Sequence, residues 1–205
     1  MGAVTRPARR LTQLYAGLVL YGASMALQIR AGLGLDPWDV FHQGVSEKTG
    51  LSFGTVVIIT GAIVLLAWVP LRQRPGLGTV SNVFVIGFAV DASLAVLPDA
   101  TWLPAQLAML ASGVVLNALA GAAYIGAGLG PGPRDGLMTG LVRRTGGSVR
   151  TIRTGIEVSV LVAGFMLGGT VGLGTVVYAL SIGPLLGVML PPLTLRAPSP
   201  APAGP

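Results

Sequence analysis

Two aspartates of this chain, Asp39 and Asp135, stand 96 residues apart (135 − 39) in the same setting. Each follows a proline, Pro37 or Pro133, which itself follows a glycine-rich break at Gly34 or Gly130. A carboxylate so placed has two kinds of work open to it. In the first turn of a helix it caps free backbone N–H groups. Inside a membrane it holds a cation or carries a proton, because an acid in hydrocarbon has to be balanced. Trp38 and His42 lie close to Asp39. The tryptophan can wall a ligand or sit among the headgroups; the histidine can relay protons or simply be solvated. Two further acids fall inside apolar stretches. Asp91 suits either ion coupling or a structural hydrogen bond, and Glu157 follows Arg153 at the i,i+4 spacing of a helical ion pair. Asn82 and Asn117 read as hydrogen bonds between helices.

Other chemistries lack their residues. The chain has no cysteine and one histidine, so disulfides and thiol nucleophiles are excluded and zinc or haem would want for ligands. It contains no phosphate-binding loop, no HExxH and no cluster of His, Asp and Cys. The expectation is a protein that is not an enzyme and has no cofactor. A net charge of +6 invites a nucleic-acid reading, but in an apolar chain excess arginine is a topology signal, so the expected partner is the lipid bilayer.

The elements that must position these residues are membrane helices. Only 10% of the residues are charged and the mean hydropathy is +0.77. Apolar runs predict helices near 11–30, 52–71, 77–97, 104–126, 151–169 and 173–191, each close to bilayer length. Their backbone must be α-helical, because lipid offers no hydrogen-bond partners. The first run continues to Leu27, longer than the apolar core of a signal peptide, and reads as a membrane helix.

The chain repeats itself. Ala31-Gly32-Leu33-Gly34 recurs as Ala127-Gly128-Leu129-Gly130, and Gly76-Leu77-Gly78-Thr79-Val80 recurs without a gap as Gly172-Leu173-Gly174-Thr175-Val176. Three long helices fall in each copy. The layout is a basic cytoplasmic start (1–10), a first repeat (11–97), an external linker (98–103), a second repeat (104–191) and a disordered Pro/Ala-rich tail (192–205). Arg6, Arg9, Arg10, Arg72, Arg74 and the group Arg134, Arg143, Arg144, Arg150 and Arg153 fall on one side of six crossings, with Arg30 and Lys48 as exceptions. Both termini are then cytoplasmic. An odd number of crossings per repeat turns the second repeat upside down relative to the first. The fold class is therefore all-α and polytopic, two inverted three-helix repeats.

Between the first and second long helix of each repeat lies a short polar segment, 35–50 or 131–147. Asp36 suits an N-cap, Pro37 and Pro133 the first helical position, and Gly50 and Gly146 the stop. About 12 residues give about 18 Å, too short to span, so each segment is a half-helix that lies in the interface or re-enters the protein. If both re-enter, a two-fold axis brings their N-termini together near the midplane.

The stretches Gly34-Leu35-Asp36-Pro37-Trp38-Asp39-Val40-Phe41-His42-Gln43-Gly44, Thr49-Gly50-Leu51-Ser52-Phe53-Gly54-Thr55 and Pro70-Leu71-Arg72-Gln73-Arg74-Pro75-Gly76-Leu77-Gly78-Thr79 make the chain similar to the YczE family of bacterial integral membrane proteins, related to the YitT group. The resemblance covers nearly all of the chain outside the termini. It implies a multi-pass protein of the bacterial inner membrane. It implies no substrate and no catalytic residue, because the family has none established.

The expected function is a small-molecule transporter or exporter with its site at the interface of the repeats. The alternative is a non-transporting accessory or scaffold protein that binds other membrane proteins or enzymes. Substrate or ion candidates are Asp39, Asp135, Asp91, Trp38, His42 and Glu157, with the half-helix breaks at Gly34, Pro37, Gly130 and Pro133.

Overall fold

The structure is a computed structural model and describes residues 5–195. The first four residues and 196–205, where most of the expected disordered tail falls, lie outside the described residues. The described chain is all α: α1 (Thr5–Ala31), α2 (Pro37–Thr49), α3 (Phe53–Trp68), α4 (Leu77–Val96), α5 (Leu103–Gly126), α6 (Pro133–Thr145), α7 (Val149–Met166) and α8 (Leu173–Leu193). By length and composition α4, α5 and α8 are fit to cross a membrane, and α2 with α3 forms one further candidate span bent by 115°. Helix α1 is 27 residues long, about 40 Å. Side chains exposed to the surroundings are largely apolar, among them Leu66, Phe88, Val96, Phe165, Leu180 and Val188, as a lipid-facing surface requires.

Glycines let the central helices approach. A Cβ on Gly17 of α1 would come within 3.1 Å of the Ala120 carbonyl of α5, and a Cβ on Gly113 of α5 within 3.1 Å of the Ser24 carbonyl of α1. These contacts are one contact made twice, since 17 and 113, and 24 and 120, differ by the same 96. They also run in opposite senses along the two helices, so α1 and α5 pack antiparallel. Helix α4 lies on α1, with Gly22 against Ala89, and α8 lies on α5, with Gly126 against the Leu193 carbonyl. Leu14, Leu18, Met25, Phe53, Val57, Ile86, Val90 and Tyr124 form the main core around this pair. Arg10 donates to the Leu195 carbonyl at 3.1 Å, so both ends of the described chain meet at one end of the bundle.

The two half-helices start and stop where the Pro and Gly signals place them. Gly50 and Gly146 close them in the left-handed region, at φ 72° and 70°. Their entry loops are clamped by the opposite repeat. Gly174 N–H donates to the Leu33 carbonyl at 2.7 Å, and its counterpart Gly78 N–H donates to the Leu129 carbonyl at 2.8 Å. Gly34 (φ 106°) and Gly130 (φ 124°) take backbone shapes that side chains resist. Arg72 (φ 53°) is the one non-glycine with positive φ among the described residues; the position equivalent to it in the second repeat is Gly168.

Candidate functional site

The N-termini of α2 and α6 meet inside the bundle. The cap of α2 is Asp36, whose Oδ1 accepts from the backbone N–H of Trp38 (2.8 Å) and Asp39 (3.1 Å). At the start of α6 the equivalent position is Gly132, and it has no room for a side chain because a Cβ there would meet Tyr124 Oη at 2.9 Å. The next unmatched position is Trp38 in one repeat and Arg134 in the other. These two counterparts touch each other: the Arg134 guanidinium sits 4.8 Å from the Trp38 ring centre. A position that contacts its own repeat-equivalent lies on the axis relating the repeats. Arg134 also reaches both carboxylates of α2, with Nη1 3.7 Å from Asp36 Oδ1 and Nη2 3.6 Å from Asp39 Oδ1.

Around this contact the polar groups are held in layers. Asp36, Asp39 and His42 are 3%, 2% and 2% exposed, so Asp39 and His42 are core residues and not solvated ones. His42 Nδ1 lies 3.2 Å from Asp39 Oδ1, and its ring packs edge-on to Phe53. Trp38, also buried, is a wall and not a headgroup belt residue. Asp135 faces the same space from α6 and accepts from Tyr124 Oη at 3.4 Å. Asn117 joins three elements: it donates to Ser24 Oγ (2.9 Å) and accepts from Tyr178 Oη (2.9 Å).

Beside this contact lies a cavity of about 480 Å³ to which all eight helices contribute, with Tyr21, Asp36, Trp38, His42, Asn82, Tyr124, Arg134, Asp135 and Tyr178 among its lining. Its volume lies within the range of about 300–1,000 Å³ usual for small-molecule sites. Arg153 and Glu157 also line it and form their own ion pair at 2.9 Å. That leaves Asp36 and Asp135 of the lining, with Asp39 beside Arg134 but outside the lining, facing one further guanidinium, Arg134. Such a surplus of carboxylates suits a proton or a cationic group. Among the described residues no three His, Asp or Glu side chains converge on a metal-sized position.

Asp91 stands elsewhere. Its carboxylate accepts from Ser52 Oγ (2.6 Å) and from the Gly54 N–H (2.7 Å), which ties the start of α3 to α4. We expect Asp91→Ala to lower unfolding stability by about 2 kcal/mol, the cost of leaving a backbone donor unpaired, and to leave ligand binding in the cavity unchanged. Denaturation and binding measured on the same variant check this.

Arg134, which the sequence offers only as one of the arginines marking the cytoplasmic side, is also a residue of the site. Its guanidinium turns toward Asp36 and Asp39, because the N-termini of α2 and α6 meet there. Arg30, an exception to the charge rule, has its own local partner: it donates to Asp99 at 2.7 Å and to the Leu94 carbonyl.

Residues 8–191 match a family described as a family of unknown function (DUF6198). An uncharacterized protein of Haemophilus influenzae is 36% identical over 182 residues, covering 89% of this chain and 84% of that protein. The protein named Uncharacterized membrane protein YczE of Bacillus subtilis is 35% identical over 185 residues, covering 89% and 86%. Uncharacterized protein YyaS of Bacillus subtilis is 31% identical over 182 residues, covering 85% and 89%. No solved structure matches the chain. The chain belongs to the DUF6198 family, and it is a membrane protein with the YczE protein among its relatives.

Proposed function

We propose that this DUF6198 family member is a small-molecule transporter of the bacterial inner membrane, built from two oppositely oriented repeats with both termini cytoplasmic. Its site is the cavity where α2 and α6 meet. The observation that carries the reading is the contact of Arg134 with Asp36, Asp39 and Trp38 at the wall of that cavity. Support for opposite orientation comes from the antiparallel packing of the equivalent helices α1 and α5 and from the exchanged clamps at Leu33 and Leu129. Discontinuous helices meeting at a repeat interface are the way many secondary transporters build their central site.

The transported species carries positive charge or exchanges with protons, because the cavity holds more carboxylates than guanidiniums. Asp39 and Asp135 are the coupling residues, Trp38 the wall, and His42 the partner that fixes Asp39. No bond-making step is assigned to the cavity.

The test is flux. Purified protein in liposomes loaded with a pH-sensitive dye is offered a panel of small organic amines across an imposed pH gradient. Saturable, amine-dependent proton movement is expected, lost in Asp39→Asn and reduced in Asp135→Asn. Unchanged flux in both variants would remove their coupling role. No flux and no ligand-induced stabilisation across the panel, with other membrane proteins copurifying, would replace the transporter reading with that of an accessory protein.

A further inference from the structure

The two seams that the repeat makes equivalent are not alike. In the first repeat α3 packs closely on α4. A Cβ on Gly54 would strike the Gly87 carbonyl, a Cβ on Gly87 would come within 2.5 Å of Ile58, and Asp91 ties the pair at its end. A shift of 96 replaces three of the four residues involved. Arg150 stands for Gly54, Thr154 for Ile58 and Gly187 for Asp91. Gly183 still stands for Gly87, but a Cβ on Gly183 or on Gly187 would meet nothing within 4 Å. Among the described residues α7 and α8 form no packed seam. The cavity reaches this gap: Arg153, Ile156 and Glu157 of α7 and Tyr178, Ile182 and Leu186 of α8 line it from the two sides.

We propose that the cavity is loaded sideways from the bilayer through the gap between α7 and α8, and that its ligand is an amphiphile with an amine head group and an apolar tail. The inference rests on the reading of the cavity as a transport site and names its substrate class. The carboxylates of Asp36 and Asp135 in the lining, against the one guanidinium of Arg134, select the amine. The Arg153–Glu157 pair at the gap is balanced within itself and so sets no net charge against a passing head group. Ile156, Ile182 and Leu186 give the tail an apolar path continuous with lipid. The sequence difference is specific to one seam, so the opening is one-sided although the repeat is two-fold.

The experiment uses the full chain in liposomes and a dodecylamine with a photoactivatable diazirine at its tail end, beside the matching dodecanol. Labelled peptides are mapped after illumination. Label is expected on the cavity-facing stretches of α7 and α8, with the amine exceeding the alcohol by about tenfold, the worth of one charge-assisted contact. Gly187→Trp is expected to lower that label by a similar factor. It should leave the unfolding midpoint unchanged, since its Cβ enters open space. Label spread evenly over lipid-facing α4 and α8, equal label from the alcohol, or crosslinks showing a second copy of the chain filling the gap would each overturn the proposal. Flux of water-soluble amines that survives in Gly187→Trp would overturn sideways entry and leave transport standing. Specific amine label without any flux would do the reverse.

Discussion

Arg134→Met is expected to destabilise the protein by about 3 kcal/mol, the lower end of what breaking a buried ion pair costs. The lower end applies because the Arg134 side chain keeps 32% exposure, while the Asp36 and Asp39 side chains keep only 3% and 2%. Methionine fills much of the same volume and can still lie on Trp38, so the loss isolates the charge. Two carboxylates then face each other across the α2 terminus with no cation between them. The effect should reverse when they are neutralised: Arg134→Met combined with Asp36→Asn and Asp39→Asn should regain at least half of the lost stability. Arg134→Lys should fall between, because an ammonium is a point charge and cannot fork toward both acids. Denaturant titration of the four proteins in one detergent checks the series. A wild-type midpoint for Arg134→Met would show that the contact carries no weight.

Gly136→Val is expected to cost about 3 kcal/mol or more, at the upper end for overpacking. A Cβ at Gly136 would lie inside the indole of Trp68. Trp68 has no room to retreat, being 2% exposed and held by its Nε1–H donating to the Pro133 carbonyl at 3.0 Å. Helix α6 would have to lift from α3, carrying Arg134 and Asp135 with it. The same joint exists on the other side with its sizes exchanged: Val40 and Phe41 of α2 press on Gly164 of α7, and 40 and 136, like 68 and 164, are equivalent positions. The two changes Gly136→Val and Trp68→Leu should therefore be less costly together than the sum of the singles, since each relieves the other's misfit. Strict additivity in the denaturation midpoints would count against this joint.

Much of the architecture was legible in the sequence because it rests on local chemistry. Hydropathy gave the long helices, and the Pro37 and Gly50 signals with their counterparts Pro133 and Gly146 placed both ends of each half-helix. Asp36 caps α2 as its residue type suggests. What the sequence hid is what depends on three dimensions. Nothing near Arg134 along the chain is acidic except Asp135, so its partners on α2 could be found only by folding the repeats together. A clue was present in its position: a cation in the first turn of a helix opposes the helix dipole, and its counterpart is the bulky Trp38. A residue near the axis meets its own equivalent, so that pair was open to inference once the repeat was known. The sequence leaves Asp91 between ion coupling and a structural hydrogen bond, because it does not show what meets it. An acid deep in an apolar run suits either role, and the Ser52 side chain and the Gly54 N–H at the start of α3, 39 and 37 residues away, occupy its oxygens.

The central claim is that two repeats of opposite orientation meet at one site. Lys48 and Arg144 test it most directly, since they are equivalent positions near the ends of α2 and α6 and both are exposed. The chain has no cysteine, so Lys48→Cys and Arg144→Cys each give a single thiol. Right-side-out membrane vesicles carrying either variant are treated with a membrane-impermeant thiol reagent. The account predicts modification of Lys48→Cys and protection of Arg144→Cys until the vesicles are opened. Modification of both in sealed vesicles would put the two half-helices on the same side and contradict it.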